Sequence, residues 1–339
     1  MRRFYAIRIL LLVSMLTVSC TAYPQSTMNV MFYNTENLFD TMDNPLKDDD
    51  EFTPDGTKAW TEKRYWEKLA NVGRVIVAVD EDNAPELIGM CEVENGQVLT
   101  DLTKRTALKS LHYDYVVTDS PDRRGINVAL LYKKTWFRLI SVESLNVNLR
   151  PAGGGPTRDI LHATGRIMTG DTIDVYVCHW PSRINGEDET ESRRRIAASV
   201  AMGSIRKVFG EREKPYVILM GDLNEGPSDS AVRDVMGAAS PDDAENMPDT
   251  AMVALMYGRK PGSYRYDGEW DTYDQFVVSA SFLNGLGCTA IENVHIGAFD
   301  FILEEDNRYG GRKPYRTYNG RRYQGGFSDH LPIALDLAY

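Results

Sequence analysis

Residues 216–226 read YVILMGDLNEG. Residues 216–220 are all apolar or aromatic, with β-branched Val217 and Ile218, the pattern of a short strand buried on both faces. Gly221 reads as the point where that strand stops, so Asp222 and Asn224 fall at its carboxyl end. Open α/β sheets present catalytic groups there, because the loop is held by a rigid element and is still open to ligand. Residues 226–228 (GPS) then turn the chain, and Ser228 is a candidate N-cap for a helix through Met236. Taken alone, Asp-x-Asn after a strand reads equally well as an Asx-type turn.

The same arrangement recurs outward from this stretch. Residues 30–34 (VMFYN) deliver Asn34, residues 87–92 (LIGMCE) deliver Glu92, and residues 173–179 (IDVYVCH) deliver His179. Residues 273–279 (YDQFVVS) carry Asp274, and residues 326–339 (GFSDHLPIALDLAY) carry Asp329 and His330 into a final strand. In this order, with GDLN and with SDH ahead of a terminal apolar strand, the chain resembles the endonuclease/exonuclease/phosphatase superfamily. That group includes exonuclease III, pancreatic-type deoxyribonuclease, neutral sphingomyelinases and inositol polyphosphate 5-phosphatases. The resemblance implies one catalytic domain over residues 27–339, built as a four-layer α/β sandwich of two packed mixed sheets flanked by helices. Periodicity by itself says only mixed α/β.

A chain of 339 residues with 42% hydrophobic content can bury a sizeable core. Arg2, Arg3 and Arg8 lead into an apolar run at 9–18, too short to span a bilayer, which reads as an export signal over residues 1–22. Residues 16–20 (LTVSC) approximate a lipoprotein box, with Thr17 where an aliphatic residue is usual. Acylation of Cys20 and an ordinary cut near Ala22 both stay open. The expected mature protein is exported, as a secreted bacterial branch of the superfamily would be: periplasmic, anchored to an outer membrane through a lipid on Cys20, or secreted. The other cysteines, Cys91, Cys178 and Cys288, are odd in number and scattered through expected strands, which excludes a disulfide-stapled scaffold. The formal charge of −11 becomes three units more negative without the leader's arginines. A chain this acidic needs local Lys and Arg contacts to hold a polyanion. Its excess of carboxylates suits a divalent-metal site.

Residues 61–79 place Trp66, Leu69, Val72, Ile76 and Val79 at helical spacing, and residues 189–209 form a second long helix with Ala197, Val200 and Ala201 inward. Residues 113–117, 126–132, 137–142 and 159–168 read as strands, and residues 34–54 as a polar surface loop. The run 193–195 (RRR) reads as the exposed face of its helix.

The resemblance also assigns roles. Glu92 is implied as the principal metal ligand, with Asn34 supporting it and Asp329 as a second metal-associated carboxylate; oxygen ligands point to Mg2+ or Mn2+ in preference to zinc. Glu94, two residues on, would share the face of Glu92. Asp222 would orient or deprotonate the attacking water, Asn224 would donate to phosphoryl oxygens, and His330 would contact the scissile phosphate. Asp274 would hold His330 in its working tautomer, with Asp300 in residues 299–303 (FDFIL) as a competing match. His179 would protonate the leaving oxygen or donate to the phosphate.

From the residues themselves, Arg158 and Arg183 are candidate phosphate clamps, since guanidinium binds phosphate bidentately, and edge-strand ion pairing accounts for each equally well. Residues 308–323 (RYGGRKPYRTYNGRRY) form the one locally basic segment, with Arg316 and Tyr318 as candidate substrate contacts. Cations interleaved with aromatics are what single-stranded nucleic acid requires. The expected activity is phosphate ester hydrolysis, foremost by a nuclease acting on extracellular DNA or RNA, with a phosphatase or a lipid or sugar phosphodiesterase as the alternative. A non-catalytic binding module is the remote alternative, because Glu92, Asp222, Asn224 and His330 are all present. No protein partner is implied.

Overall fold

The computed structural model describes residues 27–338 except 81–83, 185, 245 and 285–289; the leader read at 1–22, with Cys20, and Cys288 lie outside the described residues. In chain order come β1 (Thr27–Leu38), α1 (Glu62–Ala78), β2 (Leu87–Val93), α2 (Gly96–Arg105), β3 (Tyr113–Val117), β4 (Asn127–Lys133) and β5 (Phe137–Leu145). Next are β6 (Ile160–Ile167), β7 (Thr172–His179), α3 (Glu187–Glu211), β8 (Tyr216–Asp222), β9 (Met252–Ala254), the hairpin β10 (Tyr264–Tyr266) and β11 (Glu269–Asp271), and β12 (Asp274–Ser279). The chain closes with β13 (Ala290–Ile296), the short pairs β14 (Leu303–Glu305) with β15 (Arg312–Pro314) and β16 (Tyr318–Asn319) with β17 (Arg322–Tyr323), and β18 (Ile333–Ala338).

One six-stranded sheet has the order β13-β18-β1-β2-β4-β3 and the other β5-β6-β7-β8-β12-β9. Both are mixed in the same way. A parallel pair lies at the centre, β1 with β2 and β7 with β8, and antiparallel strands flank it. Helix α1 makes the first parallel crossover and α3 the second, as parallel neighbours require.

Two-residue alternation decides which layer each side chain enters. In β8, Ile218 and Met220 pack between the sheets with Phe32, Val175 and Phe276, whereas Val217 and Leu219 face Ala197, Ala201 and Ile205 of α3. On the first sheet, Met31 and Met90 turn outward to Leu69, Val72 and Ile76 of α1. Helix, sheet, sheet and helix therefore stack as the four-layer α/β sandwich expected from the sequence. Each fully buried side chain of this size contributes roughly 1.5–3 kcal/mol over exposure, so three such cores hold the strand ends in place.

Several local readings change. Gly221 does not end its strand: β8 runs through Asp222, and a Cβ on Gly221 would stand 2.3 Å from the Cys178 carbonyl oxygen of β7. Close strand approach requires glycine there. The helix expected after Ser228 shrinks to one π-type turn, Ala231–Val235, whose Ala231 N is met by Glu225 Oε2 at 3.3 Å. Residues 34–38, read as the start of a surface loop, are the end of β1, with Asn34, Thr35 and Glu36 buried. Cys91 and Cys178 are free, buried thiols, one between the sheets and one beneath α3.

Candidate active site

The two parallel pairs finish beside one another. His179, the last residue of β7, has Nε2 3.9 Å from Glu92 Oε1 and 3.7 Å from Asp222 Oδ2. Asn34 Nδ2 donates to Asp222 Oδ2 at 3.0 Å while its Oδ1 accepts from Glu36 N at 3.0 Å, a pair of contacts that fixes the amide's orientation. Strand β12 runs antiparallel to β8 with Asp274 opposite Asp222, so its first residue arrives at the same edge. Asp274 Oδ2 lies 2.7 Å from His330 Nδ1, and His330 Nε2 lies 3.7 Å from Asp222 Oδ2. An imidazole is thereby held between two buried carboxylates.

The backbone carrying these groups is strained. Glu92 and Asn224 have φ of 58° and 48°, and Glu36 and Asn37 have 49° and 57°. Left-handed backbone at non-glycine residues costs about 1–3 kcal/mol each and persists where surrounding contacts over-determine it. Here Asn37 N donates to Glu92 Oε2 at 2.9 Å, and Asn224 N to Asp222 Oδ1 at 3.0 Å. The register of β2 against β4 slips between Cys91 and Val93, which breaks the alternation. Glu94 consequently does not share the face of Glu92; it accepts from Asp40 N at 2.6 Å, and burial pushes its carboxyl up to about 7.

Burial also pushes the Asp222 carboxyl up to about 7, against the pull of the His330 charge. His330 moves the other way from its burial: the Asp274, Asp222 and Asp329 carboxylates outweigh desolvation and raise it well above the ordinary histidine value. His179 is pushed well below that value, by burial first and then by Arg158, Arg124 and His330. The two imidazoles are thus driven in opposite directions, His330 toward the imidazolium and His179 toward the neutral ring.

A stability prediction follows from Asp222. A carboxyl whose folded pKa is raised favours the fold fully below its unfolded value near 4 and loses that contribution as pH climbs through the raised value. For Asp222 the window runs from there to about 7. Metal-free protein should lose stability across it, and Asp222→Asn should lose less. Denaturant unfolding of both proteins at about pH 4 and about pH 8 checks this; equal losses would show that Asp222 ionises without penalty.

Asp329 lies at the rim, where its Oδ2 accepts from Arg316 Nη2 at 2.8 Å, while Arg316 Nε reaches Glu36 Oε1 at 3.2 Å. Arg158 does not face outward as a clamp. It is buried, donating to His179 O at 3.2 Å and Trp180 O at 2.6 Å and pairing with Asp122 at 3.4 Å, so it holds the end of β7. Arg183 donates to Asn224 O at 2.8 Å, pairs with Glu187 at 2.7 Å and lies over the Tyr273 ring at 4.7 Å. Its fork braces the Asn224 loop. Asp300 is exposed and pairs with Arg312, away from His330, which is met by Asp274.

Sequence reading missed several supports. Ser328 Oγ donates to Asn34 O at 2.7 Å and accepts from His330 N at 3.1 Å, joining the two ends of the site. Arg194, expected on an exposed face, is fully buried, with Nε on Glu225 Oε1 and Nη1 on Thr190 Oγ1 at 2.6 Å. The signal was present: buried Ala197, Ala198 and Ala201 follow it at helical spacing.

Among the described residues, one set of three acid or histidine groups has ligand atoms within 4.8 Å of one another: Asp222, Asp274 and His330, all buried. This set could hold a metal ion. As an imidazolium, His330 offers only donors, so a cation bound there would have to replace its proton. Glu92, Asn34 and Asp329 bring oxygen acceptors, the donor chemistry of hard divalent cations. Glu92 Oε1, 3.9 Å from His179, lies beyond hydrogen-bond reach of it and is suited to such an ion.

Comparison with known proteins matches this picture. A model of the Endonuclease/Exonuclease/phosphatase family matches residues 29–339. No curated protein matches the chain. An endonuclease/exonuclease/phosphatase family protein from Bacteroides thetaiotaomicron superposes with TM-score 0.55 at 15% identity, covering 94% of this chain and 99% of that one. The mannosyl-6-phosphatase of Bacteroides thetaiotaomicron gives 0.56 at 15% identity over 92% and 100%. D. rerio TDP2 complexed with a single strand DNA product gives 0.55 at 16% identity over 92% and 99%. Identities this low speak for shared fold alone, but the family match runs from the third residue of β1 to the end of the sequence. On that extent, the chain belongs to the Endonuclease/Exonuclease/phosphatase family.

Proposed function

We propose that the protein is a divalent-metal-dependent hydrolase of phosphate esters. The observation that carries this reading is the row Asp274, His330, Asp222, with Asn34 bonded to Asp222 and His179 beside it. A water set against Asp222 would pass its proton to that carboxylate, which Asn34 Nδ2 and Asn224 N orient. His330, kept protonated and positioned by Asp274, donates to a phosphoryl oxygen as negative charge gathers there. Neutral His179 adds a second donor through Nε2. Glu92, with Asn34 and Asp329 nearby, would hold Mg2+ or Mn2+, which neutralises charge developing on the phosphoryl oxygens.

The basic segment 308–323 bears on the substrate. Its Arg312 pairs with Asp300, Lys313 with Glu304, and Arg316 with Glu36 and Asp329. Two of its tyrosines are tied down as well, Tyr323 Oη donating to Glu67 at 3.0 Å and Tyr318 Oη to Lys58 O at 3.0 Å, while Tyr309 stays exposed under Arg308. A platform for single-stranded nucleic acid needs available cations and open ring faces. We therefore read the substrate as a small phosphate ester, the class on which the similar mannosyl-6-phosphatase acts. A nuclease is the second reading, favoured by exposed Arg321 and Arg322 and by the single strand DNA product on the similar TDP2 fold. Export through the leader at 1–22, with or without a lipid on Cys20, and a single catalytic domain over 27–339 belong to the same proposal.

Hydrolysis by the purified protein tests it, with Mg2+, Mn2+ or EDTA, on sugar phosphates, supercoiled plasmid, single-stranded DNA, RNA, phosphoinositides and sphingomyelin. Cleavage of a small ester that EDTA abolishes is expected. Faster nicking of plasmid would move the assignment to a nuclease, and hydrolysis of none would return the fold to a binding role.

A further inference from the structure

A pocket of about 190 Å3 opens beside the active site, lined by Glu36, Asn37, Lys58, Arg316 and Tyr318 with Phe52 behind them. Two bonds tie it to the catalytic groups: Asn37 N donates to Glu92 Oε2 at 2.9 Å, and Arg316 Nη2 to Asp329 Oδ2 at 2.8 Å. The non-reacting part of a substrate whose phosphate lay against His330 and Asp222 would extend here.

The chemistry of the lining narrows what it takes. Its cations already have partners: Lys58 Nζ donates to Gly320 O at 3.0 Å and lies 3.9 Å from Glu51 Oε2, and Arg316 bridges Glu36 and Asp329. A second phosphate would meet paired cations. The rings are covered too. Phe52 stacks on Phe39 at 4.4 Å, Lys58 Nζ sits over Tyr318 at 4.9 Å, and Tyr323 packs edge-on against Tyr318 at 5.3 Å. With Phe52 and Tyr318 each 6% exposed, neither offers a face for a nucleobase. What remains is a set of charged and amide heads on an apolar backing. A cavity of about 190 Å3 is open enough for a small ring with polar substituents.

We infer that this pocket is a subsite for the uncharged, polyhydroxylated ring of a monophosphate ester, a sugar or cyclitol phosphate, and that Lys58 and Asn37 set the preference for it. The inference rests on the reading of the adjoining site as a phosphoesterase. Sites built to hydrogen-bond hydroxyls reject analogues lacking them, because their polar groups are then left unpaired.

Calorimetric titration of Asp222→Asn protein in Mg2+ tests the inference, using inorganic phosphate, methyl phosphate, the 6-phosphates of glucose, mannose and galactose, and myo-inositol 1-phosphate. At least one ring phosphate should bind about tenfold tighter, or more, than methyl phosphate. Lys58→Met and Asn37→Gly, each added to that protein, should erase most of the margin and leave inorganic phosphate within about twofold. Asn37→Gly keeps the amide that holds Glu92 and suits a φ of 57°, so misfolding would not explain its effect. Equal affinity for ring and methyl phosphates overturns the inference, as does a margin that survives both substitutions or a dinucleotide bound tighter than every ring phosphate. Ring phosphates bound with the margin but hydrolysed by no wild-type preparation would sink the phosphoesterase reading and leave the subsite standing. Esters hydrolysed without ring preference would do the reverse.

Discussion

Replacing Asp222 with asparagine is expected to lower kcat by about 10²–10⁴-fold on whichever phosphate ester the enzyme turns over, the range that proton transfer by a positioned side chain contributes. The amide has nearly the shape of the carboxylate, so Asn224 N keeps an acceptor at the position now 3.0 Å away. What disappears is the group that can take a proton from water and the negative charge facing His330 and His179 at 3.7 Å. Steady-state kinetics at saturating Mg2+ measure the loss, and denaturant midpoints confirm that the variant is folded. The pH profile gives a second readout. The wild-type rate should rise through the ionisation of Asp222, and the variant should lack that limb. Activity within tenfold of wild type would mean that another group activates the water.

Arg194→Met should cost about 3–5 kcal/mol of stability, the expected result of removing one partner from a buried ion pair. Arg194 is 0% exposed and Glu225 2%. Burial raises the Glu225 carboxyl, and Arg194 is the chief influence lowering it. Without the guanidinium, a carboxylate stays in the interior next to Asn224. Because Glu225 also meets Ala231 N and its backbone carbonyl accepts from Gln275 Nε2 at 3.4 Å, the Asp222 to Asn224 turn should loosen and kcat should fall with stability. The double variant Arg194→Met/Glu225→Gln should recover much of the loss, since it leaves no unpaired charge. A single variant within about 1 kcal/mol of wild type, or a double variant worse than the single, would count against this account.

Most strands of the two large sheets were legible as short apolar runs and the long helices by apolar residues at helical spacing, whereas the edge strands β9 and β13 were not read. The ends of β7 and β8, with His179 and Asp222, and the Asp329–His330 approach to β18 could be read directly as polar residues closing or preceding apolar runs. Three things were not legible. The slip at Glu92 reverses the alternation that placed Glu94, and register slips leave no mark in a single strand's sequence. Arg158 and Arg183 bond to carbonyls of residues 179, 180 and 224, contacts that exist only once distant segments meet. The basic 308–323 segment declares its charge but not its partners. Asp300, Glu304 and Glu36, which pair with it, lie outside it.

Strand β18 pairs with β1, Ala338 opposite Thr27, so the first sheet is joined by a strand that follows all the others in chain order. Asp329 and His330 immediately precede that stretch. A chain that has reached Asp274 therefore already holds Asn34, Glu92, His179 and Asp222, but not His330, the partner of Asp274, nor the central strand that joins β13 to β1. Loop-closure entropy grows only logarithmically with length, so the wait is kinetic: the non-local pairing cannot begin before its last strand exists. A chain cut before Asp329 lacks both His330 and β18 and should therefore be catalytically silent in the hydrolysis assay.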